Sequence, residues 1–221
     1  MTRDRVARLE LAGEVLWLLP ERVAYWERRR TLLLADAHWG KAAAFRAGGI
    51  PVPGGTTGEG LRRLTGAVGE SGATRILFLG DFLHARSGRA PATLATLQRW
   101  RERHPELELI LIRGNHDRAA GDPPPELGIE CVNEPVEEGP FLLAHHPAAG
   151  DGLYGLAGHV HPVVRLIGPA RQRQRLTCFW FGPHGGILPA FGDFTGGGDI
   201  RPAPGDRVFV VAGGKVVEVS G

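Results

Sequence analysis

The chain has 221 residues, of which 43% are hydrophobic and 23% charged, with a formal net charge of +2 and a pI of about 8.8. This composition excludes a disordered chain and is typical of a globular protein with a substantial core. No apolar run is long enough to span a membrane, the first residues lack a signal peptide, and the two cysteines have no metal-binding spacing. We therefore expect one cytoplasmic domain over residues 1–221, with no membrane association, whose mildly basic charge permits an anionic substrate.

Short apolar runs bounded by turn residues predict the strands of the first half, which are Glu14–Leu19, Thr31–Ala35, Arg75–Leu79 and Glu108–Ile112. The last two runs are almost continuously apolar, as is typical of strands buried on both faces of an α/β sheet. Apolar residues at helical spacing predict two helices between these strands, Thr57–Glu70 and Ala92–Arg103. The first half therefore resembles a succession of βαβ units.

The second half is predicted to be mostly β-structure, because no long helical pattern separates its apolar runs. The predicted strands are Phe141–Ala144, Tyr154–Ala157, Val163–Ile167, Leu176–Phe181, Ile187–Phe191 and Val208–Val211. Gly213 and Gly214 then separate Val208–Val211 from Val216–Val219, a pattern that predicts a β-hairpin. Together the two halves predict an α/β fold with two packed sheets and flanking helices.

Polar side chains follow five of the predicted strands. They are Asp36 and His38, Asp81, Asn115 and His116, His145, and His159 and His161. Ligands of α/β sheets bind outside the carboxyl ends of strands, and oxygen and nitrogen donors of this kind suit Mn, Fe or Zn ions. An Asp-x-His pair alone is more often a surface feature than a pair of ligands, and Asn115-His116-Asp117 alone could cap a turn. The occurrence of all five at strand ends predicts a metal site.

The adjacent histidines His145 and His146 are alternatives for one ligand position. His145 directly follows a predicted strand, and successive side chains of an extended chain point to opposite sides. We therefore favour His145 as the ligand.

The motifs resemble, in order, those of the calcineurin-like metallophosphoesterase superfamily. They are Asp36-Ala37-His38, Gly80-Asp81, Gly114-Asn115-His116-Asp117, His145 and Gly158-His159-Val160-His161. The resemblance implies a four-layer α/β/β/α sandwich with two mixed β-sheets, and two divalent metal ions, with Mn²⁺ favoured over Fe, Zn or Mg.

The resemblance also implies a role for each site residue. Asp36, His38 and His161 would hold one ion, Asn115, His145 and His159 the other, and Asp81 would bridge them. The catalytic residues would be His116, as a general acid or a phosphate-binding cation, and Asp117, which would orient it.

A narrower resemblance covers nearly the whole chain. The matching segments include Asp36-x-His-Trp-Gly-Lys41, Gly49-Ile-Pro-Val-Pro53, Leu79-Gly-Asp-Phe-Leu-His84, His145-His146-Pro147 and Leu188-Pro-Ala-Phe-Gly192. They resemble the bacterial ligase-associated DNA-damage-response endonucleases and phosphoesterases. This resemblance implies a DNA substrate and a functional association with a DNA ligase and a helicase. Trp39 departs from the smaller aliphatic residue expected there and puts local substrate contacts in question.

Three functions remain open at this point: a phosphodiesterase that acts on DNA, a phosphatase or pyrophosphatase for a small phosphoester, and a scaffold without catalysis. The scaffold is disfavoured because no ligand residue is missing. A narrow pocket closed by Trp39–Gly55 would favour a small substrate, and an open basic groove would favour DNA.

Three further residues follow the turns that carry candidate ligands: Lys41, Arg46 and His84. They are either substrate-binding residues or exposed and capping residues.

Overall fold

The computed structural model describes residues 4–167 and 173–219, so the expected domain over 1–221 extends beyond the described ends. The first sheet has seven strands that lie side by side in chain order: β1 Ala7–Leu11, β2 Glu14–Leu19, β3 Val23–Trp26, β4 Thr31–Ala35, β5 Arg75–Leu79, β6 Glu108–Ile112 and β7 Ile129–Val132. The pairs from β1 to β4 are antiparallel, and the pairs from β4 to β7 are parallel.

The second sheet is also mixed. Its strands are β8 Val136–Glu138, β9 Phe141–Leu143, β10 Tyr154–Ala157, β11 Pro162–Ile167, β12 Arg173–Phe181, β13 Gly185–Ile187, β14 Gly198–Asp199, β15 Arg207–Ala212 and β16 Lys215–Glu218. They follow the spatial order β14-β11-β12-β13-β10-β9-β8, with β15 between β12 and β16. Because β10 is parallel to both β9 and β13, three strands end at one edge.

All described helices precede β7. They are α1 Lys41–Ala47, α2 Thr56–Ser71, α3 Pro91–Glu102, α4 Asn115–Ala120, and the 3₁₀ turns Arg86–Gly88 and Pro125–Leu127. Leu61, Leu64 and Leu97 of α2 and α3 pack on the outer face of the first sheet. In the described part of the chain, no helix is long and apolar enough to cross a bilayer.

The main core lies between the two sheets. Alternate residues of the parallel strands, such as Leu33 and Leu77, face Phe141 and Phe179 of the second sheet there. Their neighbours in sequence face the helices instead. Both faces of β4, β5 and β6 are therefore buried, which is why their sequences are continuously apolar.

The two packed mixed sheets confirm the expected α/β sandwich, but the described residues form no second helical layer. Within 129–167 and 173–219 there is no helix, because no run there has apolar residues at helical spacing. The outer face of the second sheet instead buries Cys178 and Val208 against Ile200 and Val219, which lie outside strands.

Most predicted elements are confirmed within a few residues of the observed ones, including the hairpin of β15 and β16. The predicted strand Ile187–Phe191 was wrong beyond Ile187, because the following residues leave the ladder. The Leu188 N–H donates to Ala157 O at 2.8 Å, and the Phe191 N–H donates to Ala35 O at 2.8 Å. This segment therefore joins the strand ends of both sheets. Helices α1 and α4 and strands β1, β3, β7, β8 and β14 were not predicted.

Candidate metal centre

The turns that carry the candidate metal ligands share an unusual backbone conformation. Asp36, His38, Asp81, His159 and His161 all have positive φ angles, between 46° and 65°. This left-handed region is uncommon for residues other than glycine, although Asp, Asn and His tolerate it best. Such strain is retained where the surrounding structure requires it, most often at functional sites.

Two glycines let the turns approach one another. A Cβ on Gly80 would overlap the His145 ring, and a Cβ on Gly114 would lie 2.7 Å from the Asp81 backbone nitrogen. These contacts explain why glycine precedes both Asp81 and Asn115: any side chain would displace a candidate ligand.

One half of the candidate centre contains Asp36, His38 and His161. The Asp36 carboxylate is fully buried, and its Oδ1 lies 3.3 Å from His161 Nε2. Nδ1 of His161 lies 3.0 Å from Thr195 O, so an N–H there donates to the carbonyl and leaves Nε2 facing the carboxylate. The His38 and His161 rings are 5.4 Å apart.

The other half contains Asn115, His145 and His159. Nδ1 of His145 lies 3.1 Å from Leu79 O, which places the ring proton there and leaves a lone pair on Nε2. That Nε2 lies 2.9 Å from Asn115 Oδ1 and 3.1 Å from His159 Nδ1. Several acceptor atoms thus converge on one point.

Asp81 lies between the two halves. Its Oδ1 is 3.5 Å from His145 Nε2, and its Oδ2 is 3.7 Å from His38 Nε2. Oδ1 also accepts the His116 N–H at 2.9 Å. Burial raises the pKa of the Asp81 carboxyl, while burial and the Lys41 cation lower the pKa of His38 to about 2 and keep it a neutral imidazole.

These residues fit a divalent metal ion. Among the described residues, Asp36 Oδ1 and His38 Nε2 are buried atoms that make no hydrogen bond. Leaving such atoms unpaired is costly, and a bound cation would satisfy both. Ligating atoms of Asp36, His38 and His161 lie within 4.8 Å of one another, as do those of Asp36, Asp81 and His145. The cluster has the donor set of a divalent metal site.

His116 lies at the open side of this cluster. Its Nδ1 lies 2.6 Å from His84 O, so the ring donates to that carbonyl and turns Nε2 towards Asp81 Oδ2, 3.9 Å away. The His84 ring stacks on the His116 ring with centroids 5.0 Å apart, and its own Nδ1 is 3.4 Å from His38 Nδ1. His84 therefore supports the position of His116.

Asp117 acts on the backbone and not on the His116 ring. Its buried carboxylate accepts the N–H groups of Phe82 and Gly114 at 2.9 Å and of Leu83 at 3.2 Å. Burial raises its pKa to about 6. Asp117 thus links the turn after Asp81 to the first turn of α4, which contains His116.

Two of the three candidate substrate-binding residues lie beside the cluster. Lys41 is close enough to Asp36 and Asp81 for their carboxylates to oppose the lowering of its pKa by burial. The His84 ring contacts His38. Arg46 is not brought to the cluster: it is exposed on α1 and donates to Pro53 O at 3.2 Å.

The geometry favours His145 over His146 as the candidate ligand. His145 is fully buried, whereas the His146 side chain is 40% exposed and its Nδ1 lies 2.8 Å from Glu134 Oε1. Glu134 was not predicted, although its Oε2 also accepts the N–H groups of both histidines at 2.9 Å. Nothing in the sequence around Glu134 marks it, because its role depends on a contact across the fold.

The fold and the cluster together define a metallophosphoesterase-type enzyme, a hydrolase that cleaves phosphoester bonds. The crystal structure of Pseudomonas putida nuclease MPE matches with a TM-score of 0.86 and 46% sequence identity, over 97% of this chain and 100% of that chain. The chain therefore belongs to this metallophosphoesterase-type nuclease family.

YfcE, a phosphoesterase from E. coli, is a distant match with 14% identity and a TM-score of 0.43, over 86% of this chain and 97% of that chain. No protein-family model and no curated protein matches the chain.

Proposed function

We propose that the protein is a nuclease that hydrolyses phosphodiester bonds of DNA at a centre of two divalent metal ions. Asp36, His38 and His161 would hold one ion, and Asn115, His145 and His159 the other. The observation that carries this proposal is the position of Asp81, whose two carboxylate oxygens face different halves of the cluster. A carboxylate in that position is suited to bridge two ions.

The bound ions would lower the pKa of a water molecule and neutralise charge on the phosphoryl oxygens. His116 would then assist the leaving group. Because its Nδ1 donates to His84 O, a second proton on the ring resides on Nε2, the atom that faces the cluster. From there it can be transferred to the departing alkoxide. Asp117 would hold the turn that carries His116.

An extended substrate is supported by the shape of the surrounding surface. Trp39 is only 3% exposed and packs against Phe191 and Phe82. Its side chain therefore does not close a narrow pocket over the metal centre. Residues 46–51 are exposed. The 46% identical protein from Pseudomonas putida is itself a nuclease, which supports nucleic acid over a small phosphoester.

The finer assignments belong to the same proposal. Mn²⁺ is proposed as the ion because mixed Asp, Asn and His donors suit metals of borderline hardness, with Fe, Zn and Mg as alternatives.

The subfamily resemblance supports a role in DNA repair beside a DNA ligase and a helicase. The two free thiols, Cys131 and Cys178, support a reducing cytoplasmic location. We further propose that the chain acts as one domain.

The test compares Mn²⁺-dependent turnover of bis-p-nitrophenyl phosphate, p-nitrophenyl phosphate and single-stranded DNA. We expect the diester and DNA to be cleaved, and we expect Asp81→Asn to abolish both activities and reduce the bound metal. Asp151→Asn is the matched control, since Asp151 is exposed in a loop outside the cluster. Turnover of the monoester alone would refute the DNA substrate. Activity that survives both chelation and Asp81→Asn would refute the two-metal centre.

A further inference from the structure

A separate cleft of about 290 Å³ opens where α1, α2 and α3 meet, outside the metal centre. Its polar lining comes from two arginines, Arg46 and Arg62, and from threonines at the beginnings of α2 and α3. No acidic residue is among the described residues that line it. The cleft is therefore electropositive and rich in hydrogen-bond donors.

Two helices begin at this cleft, α2 at Thr56 and α3 at Pro91. Neither has a side-chain cap within the described parts of the chain, so the first-turn N–H groups of α2 remain available, whereas in α3 Pro91 has no N–H and the Thr93 N–H donates to Ala90 O at 2.8 Å. The positive ends of the two helix dipoles add to the charge of the arginines. Arg62 is exposed and forms no ion pair with any residue in 4–167 or 173–219.

Thr93 gives an independent indication that a ligand binds here. It lines the cleft and is only 7% exposed, yet its hydroxyl makes no hydrogen bond to any described residue. Because Thr93 lines the cleft, its free hydroxyl can donate a hydrogen bond to a ligand there. An anion in the cleft would accept this hydrogen bond.

A smaller cavity lies between the cleft and the metal centre. This cavity shares Ala42, Thr56 and Thr57 with the cleft and reaches His38 and Lys41. Helix α1 forms the connection and has seven residues, so its length is about 10 Å at 1.5 Å per residue. A polyanionic strand that crosses the metal centre could therefore place a second phosphate in the cleft.

We propose that this cleft binds a backbone phosphate of the nucleic-acid strand, a few nucleotides from the bond that is cleaved. Arg46 and Arg62 supply charge, and the Thr93 hydroxyl and the first turn of α2 supply hydrogen bonds. The proposal rests on the proposed nuclease function. The same chemistry suits free inorganic phosphate, so the experiment distinguishes the two.

The test uses the full chain with Arg46→Gln/Arg62→Gln, and separately with Thr93→Val. Arg8→Gln/Arg28→Gln is the matched control, because it removes the same charge from exposed arginines of β1 and the turn after β3. The dissociation constant of a fluorescent 12-nucleotide single strand is measured in EDTA at several salt concentrations. The ratio of kcat/KM for single-stranded DNA to that for bis-p-nitrophenyl phosphate is measured with Mn²⁺.

We expect the double variant to weaken DNA binding about tenfold and to lower the kcat/KM ratio similarly. The slope of log K against log salt should become shallower by roughly 0.7 for each DNA phosphate that the variant no longer neutralises. Thr93→Val should weaken binding in the same direction by a smaller factor. A double variant that binds DNA like the control variant, with the same salt slope, would overturn the proposal.

Inorganic phosphate is titrated into wild type and double variant by phosphorus NMR. Phosphate binding that the double variant loses, with unchanged DNA affinity, would assign the cleft to free phosphate and overturn the strand contact. The nuclease proposal fails separately, if wild type cleaves no phosphodiester. In that case the equilibrium binding measurements still decide whether the cleft holds a strand.

Discussion

Five residues with positive φ angles are concentrated in the turns of the metal centre. Left-handed backbone costs a residue with a side chain roughly 1–2 kcal/mol. Asp and His adopt this backbone here because these turns direct a carboxylate or an imidazole towards the metal centre. Interlocking hydrogen bonds hold the strained turns in place, for example from the His38 N–H to Asp81 O at 2.8 Å.

His116 is the residue whose replacement best separates catalysis from metal binding. We expect His116→Gln to keep its bound metal and to lose about 10²–10⁴-fold in kcat, since the contribution of a general acid is typically of that size. The measurements are kcat for bis-p-nitrophenyl phosphate and metal content per chain. His184→Gln is the control, because His184 is an exposed loop histidine. Full activity of His116→Gln would remove the proposed role.

At the scale of elements, the ends of β4, β5 and β6 supply Asp36, Asp81 and Asn115 to one edge of the first sheet. These strands are adjacent and parallel, so their carboxyl ends lie together. The helices between them cover the outer face and do not contribute proposed ligands, apart from Asn115 at the first position of α4.

Helix α2 contains glycines with opposite structural roles. A Cβ on Gly66 would meet nothing within 4 Å, whereas a Cβ on Gly60 would lie 2.7 Å from the Trp39 ring. We expect Gly66→Ala to stabilise the protein by about 0.5–1 kcal/mol, because alanine loses less backbone entropy in a helix. Gly60→Ala should destabilise it by about 1–3 kcal/mol through overpacking.

Urea unfolding of the two alanine variants measures both changes. Gly69→Ala serves as a second stabilising case, since a Cβ on Gly69 also meets nothing within 4 Å. Equal effects of Gly60→Ala and Gly66→Ala would contradict the packing of Trp39 against α2.

At the scale of the whole molecule, the candidate centre spans the two sheets. Asp36, His38, Asp81 and Asn115 follow strands of the first sheet, and His145, His159 and His161 follow strands of the second. Each proposed ion would thus take ligands from both sheets. Metal binding should therefore hold the two halves of the sandwich together.

We expect Mn²⁺ to raise the melting temperature of the protein and chelation to lower it. A ligand that binds only the folded state at 100 times its dissociation constant stabilises by about 2.7 kcal/mol. Differential scanning calorimetry against Mn²⁺ concentration measures this, with Asp81→Asn as the variant that should lose the response. An unchanged melting temperature of wild type in saturating Mn²⁺ would contradict a centre that links the sheets.

The strands of the parallel core were predictable because both of their faces are buried, so each is a continuous apolar run. Strands β1 and β3 were missed, and α1 was too short to leave a helical period. The second helical layer was expected from resemblance alone, while the described chain after β7 has no pattern that would form one.

For the site, the residue types that follow the strand ends could be predicted from the sequence, because those motifs are local. Contacts across the fold show that His145 is fully buried while His146 pairs with Glu134, that Asp117 binds backbone N–H groups, and that Arg46 lies away from the cluster. Each of these depends on contacts between segments distant in the chain. A side chain's partners are set by how the two sheets pack, and no local sequence pattern encodes that packing.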